Sequence, residues 1–275
     1  MAVHLGQHLM SLTDQLRIEP VTRRIRAAHD GTPVLDTSEA MLVWEPRRVV
    51  SMYAVPEADL LVPLTPTATP APPADLPPML GPVNFGWHFQ DGRAYSLAVA
   101  GMELDGVAFQ PVDPDLDGRV ILDWAPFDWV EEDQQVTGHP HDPFKRIDLL
   151  ASTRRIQVAY DSVVLADTTD AIALHETHLP VRWYLPRADV RLDLLEPSTQ
   201  TSTCAYQGHA SYLSLAGGPE GTEDVAWTYP DPLPEVAAIR DHVCFYAERT
   251  DLVVDGVPVP RPRTPWSSPQ EAELF

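Results

Sequence analysis

The chain has 275 residues, which is enough for one large domain or two of ordinary size. Its content of 44% hydrophobic and 21% charged residues is typical of a folded protein and excludes extensive disorder. There are 19 Lys and Arg against 40 Asp and Glu, a net charge of −21, and Lys145 is the only lysine. This balance predicts no binding to a nucleic-acid backbone or an anionic membrane.

The N-terminal segment lacks the positive start and apolar core of a secretory signal. No apolar run reaches the roughly 18–20 residues of a membrane span. Residues 7–17 are predicted to form a short helix. Cys204 and Cys244 are too few for a disulfide scaffold or a four-cysteine zinc site. One disulfide is an open alternative, but a cytoplasmic protein with free thiols is the simpler expectation.

An internal repeat begins at the next element, a hairpin predicted over Pro20–Asp36. Thr22-Arg23-Arg24-Ile25 recurs 131 residues later as Thr153-Arg154-Arg155-Ile156. At the same offset follow Asp30 and Asp161, Asp36 and Asp167, Glu45 and Glu176, and Tyr53 and Tyr184. An ordered series of this kind indicates duplication. We place the copies at residues 21–136 and 152–259.

A proline-rich segment, Pro63–Pro82, interrupts the first copy. Proline fixes φ and removes a hydrogen-bond donor, so we predict an extended loop inserted into this copy. It is either a passive loop or a partner-binding arm. The connection between the copies is predicted over Val136–Ala151, which contains Lys145. The second copy would then have no amine side chain of its own.

Short strands dominate the second copy. Asp161-Ser162 is the predicted turn of a hairpin, and Asp231 is the predicted N-cap of a helix over Pro232–His242. The predicted strands are Ile156–Tyr160, Val163–Ala166, Ala171–Leu174, Val181–Leu185, Tyr212–Leu215, Val225–Thr228, Val243–Tyr246 and Leu252–Val254.

A block of the second copy reads LHETHLPVRWYLPRADVRLDLLEPSTQTSTCAYQGHASY and is followed by VAWTYPDPLPEVAAIRDHVCFYAERTDLVVDG. It resembles the family called domain of unknown function 427, which also bears a nucleotidyltransferase-like label. The family pattern is HETxLPxRYY, then CPYKGxASY, then AWxYPxP. The resemblance implies a compact, barrel-like, mostly β domain and supplies no established reaction.

Two departures from the family pattern bear on function. Gln207 stands where the family has lysine, and the first copy has Trp44 in the place of His175. The second copy is therefore the better candidate for a functional site, and the first is degenerate. The fold prediction is mainly β: two tandem barrel-like domains, each with one short helix, packed as an intramolecular pseudo-dimer. The sequence leaves further oligomerisation open.

Metal binding and nucleotidyl transfer are poorly supported. His175 and His178 are one residue too close for the helical HExxH pattern and would point to opposite faces of a strand. His139 and His141 have suitable spacing for two ligands but lie among prolines and glycine. Because no Walker-type loop is present to bind a triphosphate, nucleotidyl transfer remains a lesser alternative. We predict neither a metal nor another cofactor.

Nucleophilic catalysis by a cysteine is one candidate chemistry. Cys204 lies five residues before His209, and the fold would be able to bring His175 and Glu176 close to it. A neighbouring histidine that lowers the thiol pKa would make Cys204 a nucleophile. The structural alternative is a small, buried cysteine at the start of a strand.

Ligand binding without chemistry is the other candidate. Aromatic side chains interleaved with polar ones are typical of a pocket, although aromatic residues also simply pack a core. The candidate ligand-binding residues are Arg182, Tyr184, Tyr206, Trp227 and Tyr229. Arg182 would hold an anionic group and be oriented by Glu176. The favoured function is binding of a small molecule in the second copy, with or without catalysis. The alternative is a structural or protein-interaction module that uses Pro63–Pro82.

Overall fold

The computed structural model describes residues 2–76, 79–219, 221–264 and 267. The chain divides into two compact units, Met1–Asp142 (unit 1) and Pro143–Phe275 (unit 2). Each unit consists of a seven-stranded and a four-stranded antiparallel sheet. The prediction of a mainly β protein is confirmed. The domain boundaries 21–136 and 152–259 remain a prediction.

Unit 1 begins with a short helix, and its first sheet has the order β1-β4-β5-β9-β8-β7-β6 and its second β11-β10-β2-β3. The elements are α1 (Leu5–Met10), β1 (Arg17–Pro20), β2 (Ile25–His29), β3 (Thr32–Thr37), β4 (Met41–Trp44), β5 (Met52–Pro56), β6 (Leu64–Pro66), β7 (Gly92–Val99), β8 (Met102–Pro111), β9 (Arg119–Leu122), β10 (Asp128–Glu131) and β11 (Gln134–Val136).

Unit 2 repeats this arrangement strand for strand, in the orders β12-β15-β16-β20-β19-β18-β17 and β14-β13-β21-β22. Its strands are β12 (Ile147–Ser152), β13 (Ile156–Tyr160), β14 (Val163–Thr168), β15 (Ala171–Glu176), β16 (Arg182–Pro186), β17 (Leu195–Cys204), β18 (Gly208–Leu215), β19 (Ala226–Thr228), β20 (His242–Phe245), β21 (Asp251–Val254) and β22 (Val257–Val259). The common strand order supports duplication.

The sheets are open, which corrects the expectation of barrels. A barrel requires its first and last strands to pair. In unit 2, β12 and β17 are the two ends of the larger sheet, and each pairs with one neighbour. The two sheets bury a core between them instead, to which Ile156, Val158 and Leu165 contribute from one sheet and Leu185 and Val243 from the other.

The first hairpin of each copy forms as predicted, for a local reason. Asp161 and Ser162 have φ of 47° and 66°, and Asp30 and Gly31 have 47° and 76°. Two consecutive positive φ angles match the twist of two-residue hairpin turns, which favour Asp and Gly. The two hairpins also have equivalent ion pairs between the residue before the first strand and the second strand, Arg24 with Asp36 and Arg155 with Asp167.

The strand register corrects one pairing inferred from the repeat. Tyr53 lies opposite Leu42, and the corresponding pair in unit 2 is Trp183 opposite Ala173. Tyr53 is therefore equivalent to Trp183 rather than Tyr184. A one-residue slip along a strand moves a side chain to the other face of the sheet. Tyr53 accordingly packs between the sheets, whereas Tyr184 packs in a separate core on the opposite face.

The helix predictions are only partly correct. Residues 7–17 contain the end of α1, which spans Leu5–Met10. The helix predicted over Pro232–His242 is a 3-10 segment, Pro234–Ile239, with a kink at Val236, where φ is −121°. A residue before proline disfavours helical backbone, so Leu233 does not continue a helix. Among the described residues, no helix is long and apolar enough to cross a membrane.

The proline-rich segment is attached to unit 1 near both ends. Leu64–Pro66 forms β6 beside β7, and Thr69 Oγ1 accepts a 3.0 Å hydrogen bond from the Ala94 N–H. Leu80 is fully buried. Pro77 and Pro78 lie outside the described residues. The segment is thus a loop with one short strand, and its role as a partner-binding arm remains a prediction.

In each unit a buried threonine binds the aspartate of a short 3-10 turn, which spans Glu57–Asp59 in unit 1 and Arg187–Asp189 in unit 2. Thr37 Oγ1 donates to Asp59 at 2.6 Å, and Thr168 Oγ1 donates to Asp189 at 2.6 Å. We expect Thr37→Val and Thr168→Val each to lower the free energy of unfolding by roughly 1–3 kcal/mol, because each removes a buried hydroxyl that donates to the aspartate and accepts from a backbone N–H. Urea denaturation measures this loss. The exposed Thr199→Val is the matched control, and an equal loss there would contradict the prediction.

Candidate functional site

The only lysine of the chain reaches Glu176 in unit 2. Lys145 Nζ lies 3.0 Å from Glu176 Oε1 and also donates to the Thr177 carbonyl at 3.1 Å. Pairing of β12 with β15 continues past the strand end. The Thr177 N–H donates to the Arg146 carbonyl, and the Arg146 N–H donates to Thr177 Oγ1. The predicted connection Val136–Ala151 therefore contributes to unit 2. The expectation that this copy has no amine was wrong.

Below this ion pair, a chain of hydrogen bonds runs into the core. Gln207 Nε2 lies 3.5 Å from Glu176 Oε2, a long hydrogen bond. The Tyr184 hydroxyl donates to Gln207 Oε1 at 2.8 Å and accepts from Trp227 Nε1 at 3.0 Å. Buried polar groups need partners of this kind, and here each partner orients the next. Gln207, at the position of the family lysine, links Glu176 to the aromatic core.

Cys204 lies beside the same ion pair at the end of β17. Burial raises the pKa of its thiol. The backbone N–H groups of Tyr206 and Gln207 act in the opposite direction, as does Lys145, while the Glu176 charge raises it further. The balance is a raised pKa, which keeps Cys204 in the thiol form at neutral pH. A nucleophile would need the thiolate.

The two candidate catalytic histidines point to solvent. His175 is exposed at the register position opposite Asp148, and His209 is exposed with its Nδ1 2.9 Å from Thr203 Oγ1. Successive side chains on a strand alternate between faces, so His175 and Glu176 diverge. The structure thus brings Glu176 to Cys204 and places neither histidine among the described contacts of that thiol.

Three of the predicted ligand-binding aromatics share one core. Tyr184 and Trp227 meet edge to face, with ring centroids 6.3 Å apart, and Tyr229 is buried beside them. Burial raises the pKa of Tyr229 and of Tyr184. Tyr206 is half-buried at the turn after Cys204. The core that contains Tyr184, Trp227 and Tyr229 therefore packs against Cys204, and Tyr184 binds Gln207.

Arg182 is engaged by a residue that sequence reasoning did not identify. Its guanidinium makes two hydrogen bonds of 2.7 Å to Glu248 and lies over the Trp227 ring, 5.5 Å from the centroid. Glu248 also accepts from Thr264 Oγ1 at 2.6 Å. Burial would lower the pKa of Arg182, but the Glu248 carboxylate outweighs it and raises that pKa. The expected orienting partner, Glu176, pairs with Lys145 instead.

Other candidate features lie away from this arrangement. An open groove of about 680 Å³ in unit 2 is lined in part by Asp161, Glu223 and Asp251, and none of the nine predicted site residues lines it. His139 Nδ1 is 2.8 Å from the Pro140 carbonyl, and His141 Nδ1 is 3.0 Å from Glu131. Within the described part of the chain, no group of three or more His, Cys, Asp or Glu is arranged to hold a metal ion.

The buried Arg182–Glu248 pair predicts a large stability effect. We expect Arg182→Met to lower the free energy of unfolding by about 3–5 kcal/mol, because it leaves Glu248 buried without a cation. The double variant Arg182→Met/Glu248→Gln should recover part of the loss. Arg191→Met, which removes an exposed pair with Asp193, should change stability little. Urea denaturation gives all three values, and equal losses for Arg182→Met and Arg191→Met would contradict the assignment.

The surroundings of Cys204 predict its reactivity. In the folded protein, iodoacetamide should modify Cys204 slowly at pH 7 and Cys244 more slowly still, because Cys244 is completely buried. Glu176→Gln should accelerate modification of Cys204 a few-fold and Lys145→Met should slow it, since these charges act on the thiolate in opposite directions. Mass spectrometry of the alkylated peptides measures both rates. Equal effects of the two variants would contradict the geometry.

Comparison with known families finds a match within unit 2. Residues 148–256, within unit 2, match the family model described as Domain of unknown function (DUF427), whose short name is NTP_transf_9. This confirms the family resemblance of the second copy. No curated protein matches the chain.

Proposed function

Because unit 2 carries the domain of unknown function 427, which has no assigned reaction, we propose from its geometry that it binds a small polar molecule at Lys145 and Glu176. One observation supports the proposal above all. The only lysine of a chain with a net charge of −21 is held 3.0 Å from a carboxylate that is connected by hydrogen bonds to a buried aromatic core.

The ion pair is suited to a ligand with neighbouring donor and acceptor groups. The Lys145 side chain is 24% exposed and that of Glu176 is 10% exposed, so both groups are fixed but remain partly accessible. An acceptor group of the ligand would accept a hydrogen bond from Lys145 Nζ, and a donor group would donate to the Glu176 carboxylate. Gln207 would keep Glu176 oriented from below. Such convergent polar groups beside aromatic residues are typical of binding sites.

Ligand binding is the favoured function, and covalent catalysis with Cys204 as the nucleophile is less favoured. The raised pKa of this thiol opposes thiolate formation, and His175 and His209 are exposed. Nucleotidyl transfer is less favoured as well, because Arg182 is committed to Glu248 and Arg191 pairs with Asp193 at the surface. A cytoplasmic location, where Cys204 and Cys244 stay reduced, is part of the proposal.

The single lysine allows a direct test with chemical probes. The full chain is acetylated with an N-hydroxysuccinimide ester in the presence of acetamide, acetate, urea or inorganic phosphate, none of which carries a reactive amine, and modification of Lys145 is followed by mass spectrometry. We expect at least one probe to protect Lys145, by about tenfold at ten times its Kd. The chain's α-amine is the internal reference for the reagent.

Two variants separate specific binding from general screening. Glu176→Gln should weaken the protection, since it replaces the charged carboxylate that would accept from the probe with a neutral amide that has one acceptor oxygen. Glu196→Gln, which changes an exposed carboxylate of the same unit, should leave the protection unchanged. Absence of protection by every probe, or equal protection in both variants, would refute the proposed site.

A further inference from the structure

Unit 1 contains a buried group of charges at the place that corresponds to the Glu176 site. Glu45 and Arg48 are completely buried, the His88 side chain is 5% exposed and that of Asp123 is 15% exposed. We call these four residues the Glu45 cluster. Glu45 follows β4 as Glu176 ends β15, but the cations that reach it come from its own loop and from the segment after the proline-rich insertion.

One ring nitrogen of His88 lies against Glu45. Its Nδ1 lies 3.0 Å from Glu45 Oε2, the oxygen that also lies 3.3 Å from Arg48 Nε. The Phe89 N–H donates to the other carboxylate oxygen at 3.0 Å. The His88 ring stacks on Phe109 at 4.0 Å between centroids and an angle of 5°. The ring is thus fixed in plane and shielded from water on that side.

The other nitrogen of His88 faces a second carboxylate. Nε2 lies 3.7 Å from Asp123 Oδ1, and both atoms are buried without a hydrogen-bond partner among the described residues. A neutral imidazole carries one N–H and one lone pair. Either tautomer would therefore turn a lone pair towards Glu45 or Asp123. Only the protonated ring presents an N–H to both, and two carboxylates are then matched by two cations.

The cluster also secures the backbone of residues 80–89, which we call the 80–89 segment. Arg48 donates to the carbonyls of Asn84 and Phe85 at 3.2 Å each, and to that of Trp87. The Leu80 N–H donates to the Arg47 carbonyl at 2.8 Å. The segment thereby covers Glu45, whereas in unit 2 the equivalent Glu176 pairs with the partly exposed Lys145.

We propose that the proton on His88 holds the 80–89 segment closed over Glu45, so that the segment opens as the pH rises. Glu45 from the end of β4, Arg48 from the following loop and Asp123 from the end of β9 are the charged groups around the ring, and Phe109 of β8 is apolar. Loss of the proton leaves Arg48 alone against two carboxylates. This inference does not rest on ligand binding by unit 2.

The direction of the pH effect follows from linkage. Burial would lower the pKa of His88, but Asp123 and Glu45 outweigh it and raise the pKa above the ordinary value of 6.5. The stabilisation is fully present below that ordinary value and is lost as the pH rises through the raised pKa of the closed state. Between the two values, opening should increase about tenfold per pH unit, and it should be constant outside them.

Limited proteolysis of the full chain tests the proposal. Chymotrypsin cleaves after aromatic residues, and the segment and its end contain Phe85, Trp87 and Phe89. The cleavage rate at these sites is measured from pH 6 to pH 9 and divided by that of a free peptide of the same sequence. We expect the ratio to rise with pH in the wild type and in the exposed-histidine control His8→Gln. His88→Gln should be cleaved rapidly at every pH.

Two results of the proteolysis would overturn the proposal: a wild-type ratio that is independent of pH, or a ratio that still rises in His88→Gln. If His88→Gln does not fold, Asp123→Asn replaces it and should shift the rise to lower pH. The ring nitrogen shifts of His88 in the wild type give an independent readout by NMR. A titration midpoint at or below 6.5 would also overturn the proposal.

Discussion

A buried carboxylate at the end of one strand is the constraint on which both units depend. A buried charge is costly unless a cation and hydrogen bonds match it. Glu45 and Glu176 occupy equivalent positions, and each is matched by cations that lie outside the strands: Arg48 and His88 for Glu45, and Lys145 for Glu176. In unit 1, Arg48 and His88 pair with Glu45, and the carboxylate is completely buried. In unit 2 the pairing with Lys145 leaves an amine and a carboxylate partly accessible.

The difference between the units follows from what the chain inserts near that carboxylate. Unit 1 contains the proline-rich segment, which leads through the buried Leu80 to His88. Unit 2 lacks this insertion, and the short turn between Cys204 and Gly208 places Gln207 beneath Glu176 instead. The two units therefore share their sheet arrangement while their loops hold different charges, as is expected where loops carry function.

A second buried ion pair explains why Arg182 is a poor candidate for ligand binding. Glu248 accepts two hydrogen bonds from the Arg182 guanidinium, and the guanidinium lies over the Trp227 ring. The same Trp227 donates to Tyr184 and so joins this pair to the hydrogen bonds that lead to Gln207. The aromatic residues that suggested a pocket thus pack behind Gln207. The partly exposed groups of the proposed site are Lys145 and Glu176.

The sequence by itself determined the local features of this protein. The Asp161-Ser162 turn predicts a hairpin because its backbone angles depend on adjacent residues, and the repeat predicts two similar β units because side-chain alternation survives duplication. Gln207 was recognisable as a departure from the family pattern. The sequence also predicted a strand over Ala171–Leu174, which the structure extends to Glu176, although it did not indicate the partner of that residue.

Only the tertiary structure decided which charges meet. Lys145 and Glu176 are 31 residues apart, and Arg182 and Glu248 are 66 apart, with no periodicity that links them. His88 reaches Glu45 through a loop whose path depends on the burial of Leu80 and on the carbonyls that bind Arg48. Electrostatic pairing acts through space and is strengthened by burial, so the local sequence did not determine it.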